Sequence, residues 1–171
     1  MEIYQLVQKI CGGYHPGVDE VEKLLCAEGQ DLDYIFKAAD EINRFYNGNT
    51  VHIRGIIEFS NYCRASCAYC GLNAGNKELK RYRMEPDEII EVAKKAYDAG
   101  YKTIVLQSGE DLWYSREKIS YIIRKIKAIG DLAITLSVGE RAYEDYRQWK
   151  EDGADRFLLK HEAINPRPNK S

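Results

Sequence analysis

The composition of this chain is that of an ordinary globular protein. It has 171 residues, of which 44% are hydrophobic and 30% are charged, as expected for about one domain. The net charge of −2 disfavours a nucleic-acid-binding surface. Residues 1–20 contain charged side chains and no long apolar run, so we expect neither a secretion signal nor a membrane span. These features predict a cytoplasmic protein with reduced cysteines.

The N-terminal part of the chain is predicted to be a helical extension, residues 1–48. One helix is predicted over residues 18–26 and another over residues 32–46, where apolar residues recur at steps of three and four. The segment Asn47-Gly48-Asn49 ends the second helix. We expect no strand in this region.

After the extension, short apolar runs alternate with amphipathic helices. The runs predicted as strands are residues 53–59, 103–106, 132–137 and 155–159. The helices between them begin near Pro86 and end at Gly100, begin after a capping Ser115 and end at Gly130, and extend from Tyr143 to Asp152. This alternation is the signature of parallel βα units.

Three cysteines follow the first predicted strand directly. Cys63, Cys67 and Cys70 have the spacing C-x3-C-x2-C within one short loop. Three thiolates can bind a metal or an iron–sulfur cluster, but they supply one ligand fewer than a closed four-ligand site needs. The open position is where chemistry would occur.

The spacing of these cysteines has three other interpretations. A disulfide framework is disfavoured because the chain has five cysteines, an odd number, and no sign of export. A zinc site would need a fourth ligand such as His52 or His161, because Cys11 and Cys26 lie in the helical extension. Chance spacing of buried thiols is the third alternative.

Polar residues follow all four predicted strands. The carboxyl ends of parallel strands share one rim of the sheet, so the loops 60–80, 107–114, 137–141 and 160–166 should lie together. Besides the cysteines, this rim carries Gln107, Ser108, Glu110, Ser137, Glu140, His161 and Glu162. Their convergence predicts one site.

Some of these polar residues also have a plain structural interpretation. Ser108-Gly109 could be only a strand-ending turn, and Glu110 and Asp111 could be solvated or could cap the next helix.

The basic run of Lys77, Lys80, Arg81 and Arg83 is typical of a solvated face, although it could instead bind an anionic group.

The motifs around this loop resemble those of the radical S-adenosylmethionine (SAM) superfamily, and more narrowly those of the HydE family, the radical maturases of [FeFe]-hydrogenase. The resemblance runs from about residue 1 to residue 166. It rests on the cysteine loop with Tyr69 before its last cysteine, and on the segments Arg54-Gly-Ile-Ile-Glu-Phe-Ser-Asn61, Cys70-Gly-Leu72, Leu79-Lys-Arg-Tyr-Arg-Met84, Leu106-Gln-Ser-Gly-Glu-Asp111 and Thr135-Leu-Ser-Val-Gly-Glu140.

The resemblance implies a fold and two cofactors. The fold is α/β, a partial TIM-type (β/α) barrel of the first four parallel strands over residues 49–166, with residues 167–171 as a divergent tail. The cofactors are a [4Fe-4S] cluster on Cys63, Cys67 and Cys70 and SAM at the fourth iron. Reductive cleavage of SAM to a 5′-deoxyadenosyl radical would then serve maturation of the hydrogenase di-iron site.

The resemblance also assigns roles to individual residues. Tyr69 would contact the adenine of SAM, and the Ser108-Gly109-Glu110 backbone would meet the methionyl amine. Ser137 and Glu162 would make polar contacts to SAM. The residues expected to face a substrate, either a small molecule or an iron complex, are Arg54, Gln107 and Lys160. Lys160 stands where the family commonly has arginine, so the charge is kept and the bidentate fork is lost.

The partners implied are an electron donor for the cluster and other hydrogenase maturation proteins, with neither nucleic acid nor membrane. A complete barrel needs about 250 residues, so we interpret the chain as a truncated member with little activity alone. The alternatives are a methylornithine-synthase-like or biotin-synthase-like radical enzyme, an inactive metal-binding fragment, and a subunit completed by another chain.

Overall fold

The computed structural model describes residues 2–160, and the chain separates into two compact units between His52 and Ile53. The first unit contains three helices: α1 (Ile3–Cys11), α2 (Val18–Leu25) and α3 (Gly29–Asn47). α1 packs against both α2 and α3, and the Gln8 amide donates a 2.6 Å hydrogen bond to the Tyr34 hydroxyl. The helical extension thus has one helix more than the two that were predicted individually.

The second unit is a parallel βα array. Its elements are β1 (Gly55–Ser60), α4 (Pro86–Asp98), β2 (Thr103–Ser108), α5 (Arg116–Lys127), β3 (Ala133–Ser137), α6 (Tyr143–Glu151) and β4 (Arg156–Phe157). The strands are all parallel and pair in the order β1-β2-β3-β4. The predicted α/β fold with four parallel strands is therefore confirmed.

The helix boundaries follow the expected local chemistry. Pro86 occupies the first turn of α4, where its missing N–H costs nothing. Ser115 caps α5 by accepting a hydrogen bond from the Lys118 N–H. Among residues 2–160, no helix has both the length and the apolar character needed to cross a bilayer.

The fourth strand is shorter than the sequence predicts. It comprises only Arg156 and Phe157, which pair with Thr135 and Leu136, instead of residues 155–159. Within the described residues β4 has only β3 as a neighbour, so it is hydrogen-bonded to the sheet on one side only. Phe157 is 37% exposed, and the apolar run that predicted the strand is therefore only partly buried.

The two faces of the sheet differ in character. One face packs against the helices and forms the core through Ile57, Phe59, Ile104, Leu106, Ile134 and Leu136, together with the isoleucine stripe of α5. The intervening residues lie on the opposite face, because side chains alternate along a strand. There the register places Glu58, Gln107 and Ser137 in one row across β1, β2 and β3. This row lies near the carboxyl ends of the strands.

Candidate functional site

The three cysteines lie on a loop whose two ends are joined at the carboxyl end of β1. We define the cysteine loop as residues 61–83. The loop returns through an antiparallel bridge between Ser60 and Arg83, and the Met84 N–H donates to the Phe59 carbonyl at 2.8 Å. Asn61 also contributes, because its amide donates to the Lys80 carbonyl at 2.9 Å. The cysteines therefore stand at the end of the strand where the sequence predicted them.

The surroundings of the cysteines differ within the loop. Cys63 and Cys70 are half-buried, whereas Cys67 is exposed. The backbone N–H of Glu110, in the loop after β2, donates to Cys63 Sγ at 3.4 Å. The Cys70 N–H closes a turn onto the Cys67 carbonyl at 3.1 Å. One sulfur therefore already receives a backbone N–H donor, a kind of contact that tunes cluster ligands.

The chemistry of the three-thiolate donor set is compatible with an iron–sulfur cluster. Among residues 2–160, no three His, Cys, Asp or Glu side chains converge closely enough to enclose one metal ion. In a cluster each thiolate binds a different iron, so the three sulfurs need not meet at one point. The all-thiolate ligand set and the N–H donor at Cys63 both fit an iron–sulfur cluster.

Gly109 lets the loop after β2 approach the cysteine loop closely. Its N–H donates to the Ser60 carbonyl at 3.2 Å. A Cβ atom at this position would lie 2.2 Å from the Tyr62 carbonyl oxygen and 2.8 Å from Cys63 Cβ. Gly109 is therefore more than a strand-ending turn, because the space beside it is filled by the backbone that carries the first cysteine.

Glu110 connects three of the rim loops. Its carboxylate accepts hydrogen bonds from Arg64 Nε at 2.9 Å and from the Glu140 N–H at 3.1 Å. Gly139 has a φ of 74°, and a Cβ there would lie 2.0 Å from Glu110 Cγ. Burial raises the pKa of the Glu110 carboxyl, but the bonds from the Glu140 N–H and Arg64 outweigh it, so the pKa lies below its ordinary value. Glu110 is thus neither merely solvated nor a helix cap.

Asp111 is the centre of a buried polar network. Its side chain is 2% exposed and binds the Arg83 guanidinium in a bidentate pair at 2.6 and 2.9 Å. It also accepts hydrogen bonds from the Ser60 hydroxyl at 2.7 Å and from the Trp113 N–H at 3.1 Å. The guanidinium of Arg83 lies 3.7 Å from the centre of the Tyr62 ring. The network fixes both ends of the cysteine loop to the loop after β2.

These contacts add to the interpretation of the basic run. Arg83 is paired with Asp111, and Arg81 donates to several backbone carbonyls of the cysteine loop. Both arginines thus make contacts within the protein that the sequence did not predict, although the Arg83 side chain remains 32% exposed. Lys77 and Lys80 are exposed.

Loss of the Asp111 carboxylate should strongly destabilise the second unit. Asp111→Ala leaves the Arg83 guanidinium and the Ser60 hydroxyl without their acceptor. Breaking a fully buried pair in this way costs about 3–5 kcal/mol, and the cost should be smaller here because the Arg83 side chain is 32% exposed. The exposed Asp131 provides a matched control, since Asp131→Ala should change stability by less than about 0.5 kcal/mol. Urea unfolding of the variants measures both effects, and equal midpoints would contradict the prediction.

The same carboxylate should make stability sensitive to acid. Burial raises the pKa of Asp111, whereas the hydrogen bonds from Arg83, Ser60 and the Trp113 N–H lower it. Together the hydrogen bonds outweigh burial, so the pKa in the folded protein lies below its ordinary value. The stabilisation is therefore present above the unfolded pKa of about 3.9 and is lost as the pH falls through the folded pKa. The Asp111→Asn variant cannot titrate, so it should show a flatter dependence of unfolding free energy on pH in this range.

The remaining predicted site residues lie at different places on the rim. Gln107 and Ser108 line a small cavity of about 100 Å³ at the ends of β1 and β2, which Glu58, Ser60, Asn61, Leu72 and Tyr82 complete. Ser137 ends β3 and is buried, 8% exposed. Tyr69 is 61% exposed, and Arg54 and Lys160 are exposed as well. His161 and Glu162 lie outside the described residues.

Sequence reasoning missed several residues at this site. Arg64, Arg83 and Asp111 were not assigned to it, although each binds a loop that carries or contacts the cysteines. Glu58 was also missed, and here a signal was present. Ile57 and Phe59 are core residues, so strict alternation places Glu58 on the opposite face.

A parallel βα sheet with a three-cysteine loop at the end of its first strand is the architecture of radical SAM enzymes. The sequence profile of the Radical SAM superfamily matches residues 57–170, and the chain belongs to this superfamily. The predicted resemblance is confirmed at this level.

Two relatives agree with this assignment. The chain is 60% identical over 132 residues to the [FeFe] hydrogenase maturase subunit HydE of Thermotoga maritima, covering 77% of this chain and 38% of that protein. It is 32% identical over 161 residues to the 3-methylornithine synthase of Methanosarcina acetivorans, covering 92% of this chain and 46% of that protein. The chain therefore spans less than half the length of these relatives.

Solved structures show the same fold. Methylornithine synthase matches with a TM-score of 0.79 at 29% identity, over 89% of this chain and 46% of that chain. The FeFe-hydrogenase maturase HydG of Carboxydothermus hydrogenoformans matches with a TM-score of 0.82 at 26% identity, over 96% of this chain and 39% of that chain. The four strands thus correspond to part of a radical SAM barrel.

Proposed function

We propose that this chain carries the cofactor site of a radical SAM maturase similar to HydE. Cys63, Cys67 and Cys70 would bind a [4Fe-4S] cluster, and SAM would bind at the iron that has no cysteine ligand. Once both groups are bound and an electron donor has reduced the cluster, the chemistry supplied is cleavage of SAM to a 5′-deoxyadenosyl radical. In the whole protein, this radical would serve maturation of the di-iron site of [FeFe]-hydrogenase.

One observation carries this proposal. The loop that bears the three cysteines is clamped to the loop after β2 by the 3.4 Å hydrogen bond from the Glu110 N–H to Cys63 Sγ. The same Ser108-Gly109-Glu110 segment is the proposed site for the methionyl amine of SAM. Cluster ligands and SAM contacts would therefore be held by one rigid junction.

The other proposed contacts surround this junction. Tyr69, next to Cys70, would contact the adenine, while Ser137 and Glu162 would make polar contacts to SAM. Gln107, Arg54 and Lys160 remain the proposed substrate-facing residues. Gln107 pairs in register with both Glu58 and Ser137, so a substrate above the sheet would meet amide, carboxylate and hydroxyl groups in one row.

Anaerobic reconstitution tests the cofactor proposal. We expect about four irons and four sulfides per chain and an EPR signal of the reduced cluster that SAM alters. Tight binding of zinc without labile sulfide would contradict the proposal and favour a metal-binding module.

A serine pair tests the SAM contacts. Ser137→Ala should weaken SAM binding about fivefold, since one hydrogen bond of about 1 kcal/mol is removed. Ser120 is also buried, at 4% exposure, but lies on α5, so Ser120→Ala should leave SAM binding unchanged. Titration of the EPR change with SAM gives both affinities, and equal losses would contradict a direct role for Ser137.

A radical enzyme of the methylornithine-synthase type is the second candidate. It is supported by the 32% identity to the Methanosarcina acetivorans enzyme and the TM-score of 0.79 with a solved methylornithine synthase. The identity to HydE is 60%, which favours the maturase. Accumulation of 3-methylornithine in cells that express this chain, but not in cells that express its Cys63→Ala variant, would reverse this preference.

A further inference from the structure

Arg81 donates hydrogen bonds to four backbone carbonyls of the cysteine loop. Its guanidinium donates from Nη1 to the carbonyls of Asn61 and Leu72, the latter at 2.9 Å. It donates from Nη2 to the carbonyls of Asn73 at 2.7 Å and Asn76 at 3.4 Å. Asn61 is at the start of the loop, whereas the other three acceptors follow the last cysteine. One side chain therefore ties the beginning of the loop to its interior.

Two of these bonds extend to the cysteine-bearing segments. The peptide group that precedes Asn73 gives its carbonyl to Arg81 and its N–H to the Cys70 carbonyl at 3.1 Å. The following peptide group also gives its carbonyl to Arg81, and its N–H, that of Ala74, donates to the Ala65 carbonyl at 2.8 Å. Ala65 lies between the first two cysteines. Arg81 thus reaches both parts of the motif through one peptide group each.

The loop depends on such contacts because it has no helix or strand of its own beyond its closing bridge. Its backbone groups must find partners outside regular secondary structure. A planar guanidinium offers five donors in a fixed fork, whereas a lysine ammonium offers three donors around one point. Only an arginine can donate hydrogen bonds to carbonyls in two parts of the loop while fixing the distance between them.

We propose that Arg81 is a positioning residue for the cluster, which fixes the segments around Cys63, Cys67 and Cys70 relative to one another before any iron binds. The inference rests on the proposed cluster site, because the purpose of this fixed geometry is to receive the cluster. The arrangement of the loop by Arg81, however, is a property of the protein without iron. The two parts can therefore be tested separately.

The first test uses the iron-free chain and three variants. Arg81→Lys keeps the charge and loses the fork, Arg81→Gln loses both, and Lys77→Gln removes an exposed positive charge from the same loop. Both Arg81 variants should exchange the amide hydrogens of Asn73 and Ala74 about tenfold faster than wild type, which corresponds to about 1.4 kcal/mol. Lys77→Gln should show the same exchange rates as wild type. The exchange rates of the β2 amides should be unchanged in all variants, which checks that the second unit remains folded.

The second test follows the cluster after anaerobic reconstitution. Transfer of iron to a chelator should be about tenfold faster for both Arg81 variants than for wild type and Lys77→Gln. If Arg81→Lys has the same amide exchange rates and the same iron retention as wild type, a positive charge at this position suffices and the inference is overturned. Wild-type chain that takes up no iron would overturn the proposed function, while the exchange of Asn73 and Ala74 would still decide the role of Arg81 in the loop.

Discussion

Replacement of any one of Cys63, Cys67 and Cys70 by alanine is expected to abolish the cluster. Two thiolates leave two irons without a protein ligand, and the assembly of an iron–sulfur cluster depends on its cysteine ligands. Iron and sulfide should fall from about four of each per chain to background after anaerobic reconstitution. Chemical analysis and visible absorption measure this loss directly.

Two other cysteines of the chain provide the controls. Cys11 and Cys26 are exposed and lie in the first unit, so Cys11→Ala and Cys26→Ala should reconstitute like wild type. Loss of iron in these variants would show that the ligand set extends beyond the loop. Full iron in any one of the three loop variants would contradict the assignment of that cysteine.

Loss of Cys63 should also affect the stability of the iron-free protein more than loss of Cys67. Cys67 is exposed, whereas Cys63 is half-buried and accepts the hydrogen bond from the Glu110 N–H. Removal of Cys63 therefore leaves the Glu110 N–H without its acceptor in addition to removing a ligand, and this loosens the junction between the two loops. For this reason Cys63→Ala should lower the stability of the iron-free protein more than Cys67→Ala.

Most of the fold could be predicted from the sequence because its elements carry local signals. Pro86, Ser115 and the glycines after the helices mark the ends of helices, and apolar runs mark β1 to β3. β4 was predicted too long because an apolar run gives no information about its neighbours. A strand forms only where a ladder exists, and Arg156 and Phe157 are the residues that pair with β3.

The site could be predicted only where it depends on spacing. The three cysteines have a recognisable pattern, and the order of strands places them on the same rim as Gln107 and Ser137. The pairing of Arg83 with Asp111 joins residues far apart in the sequence and depends on how the loops return over the sheet. Neither residue has a local pattern that distinguishes it from an ordinary surface charge, so only the folded structure identifies the pair.

The junction between the two loops makes Gly109→Ala the most informative single change outside the cysteines. Gly109 is not among the glycines with positive φ, so alanine is excluded here by lack of space and not by backbone strain. A methyl group would overlap the Tyr62 carbonyl at 2.2 Å, and a backbone carbonyl cannot turn aside as a flexible side chain could. Overpacking of this kind costs about 1–3 kcal/mol.

We expect Gly109→Ala to displace Cys63 from the Glu110 N–H and to release iron to a chelator at least about tenfold faster than wild type. Gly71→Ala is the matched control, because Gly71 follows Cys70 directly and its Cβ would meet no atom within 4 Å. If both variants retain iron like wild type, close contact between the two loops is not needed to hold the cluster. If only Gly109→Ala loses iron, retention of the cluster depends on the close contact between the cysteine loop and the loop that is proposed to bind SAM.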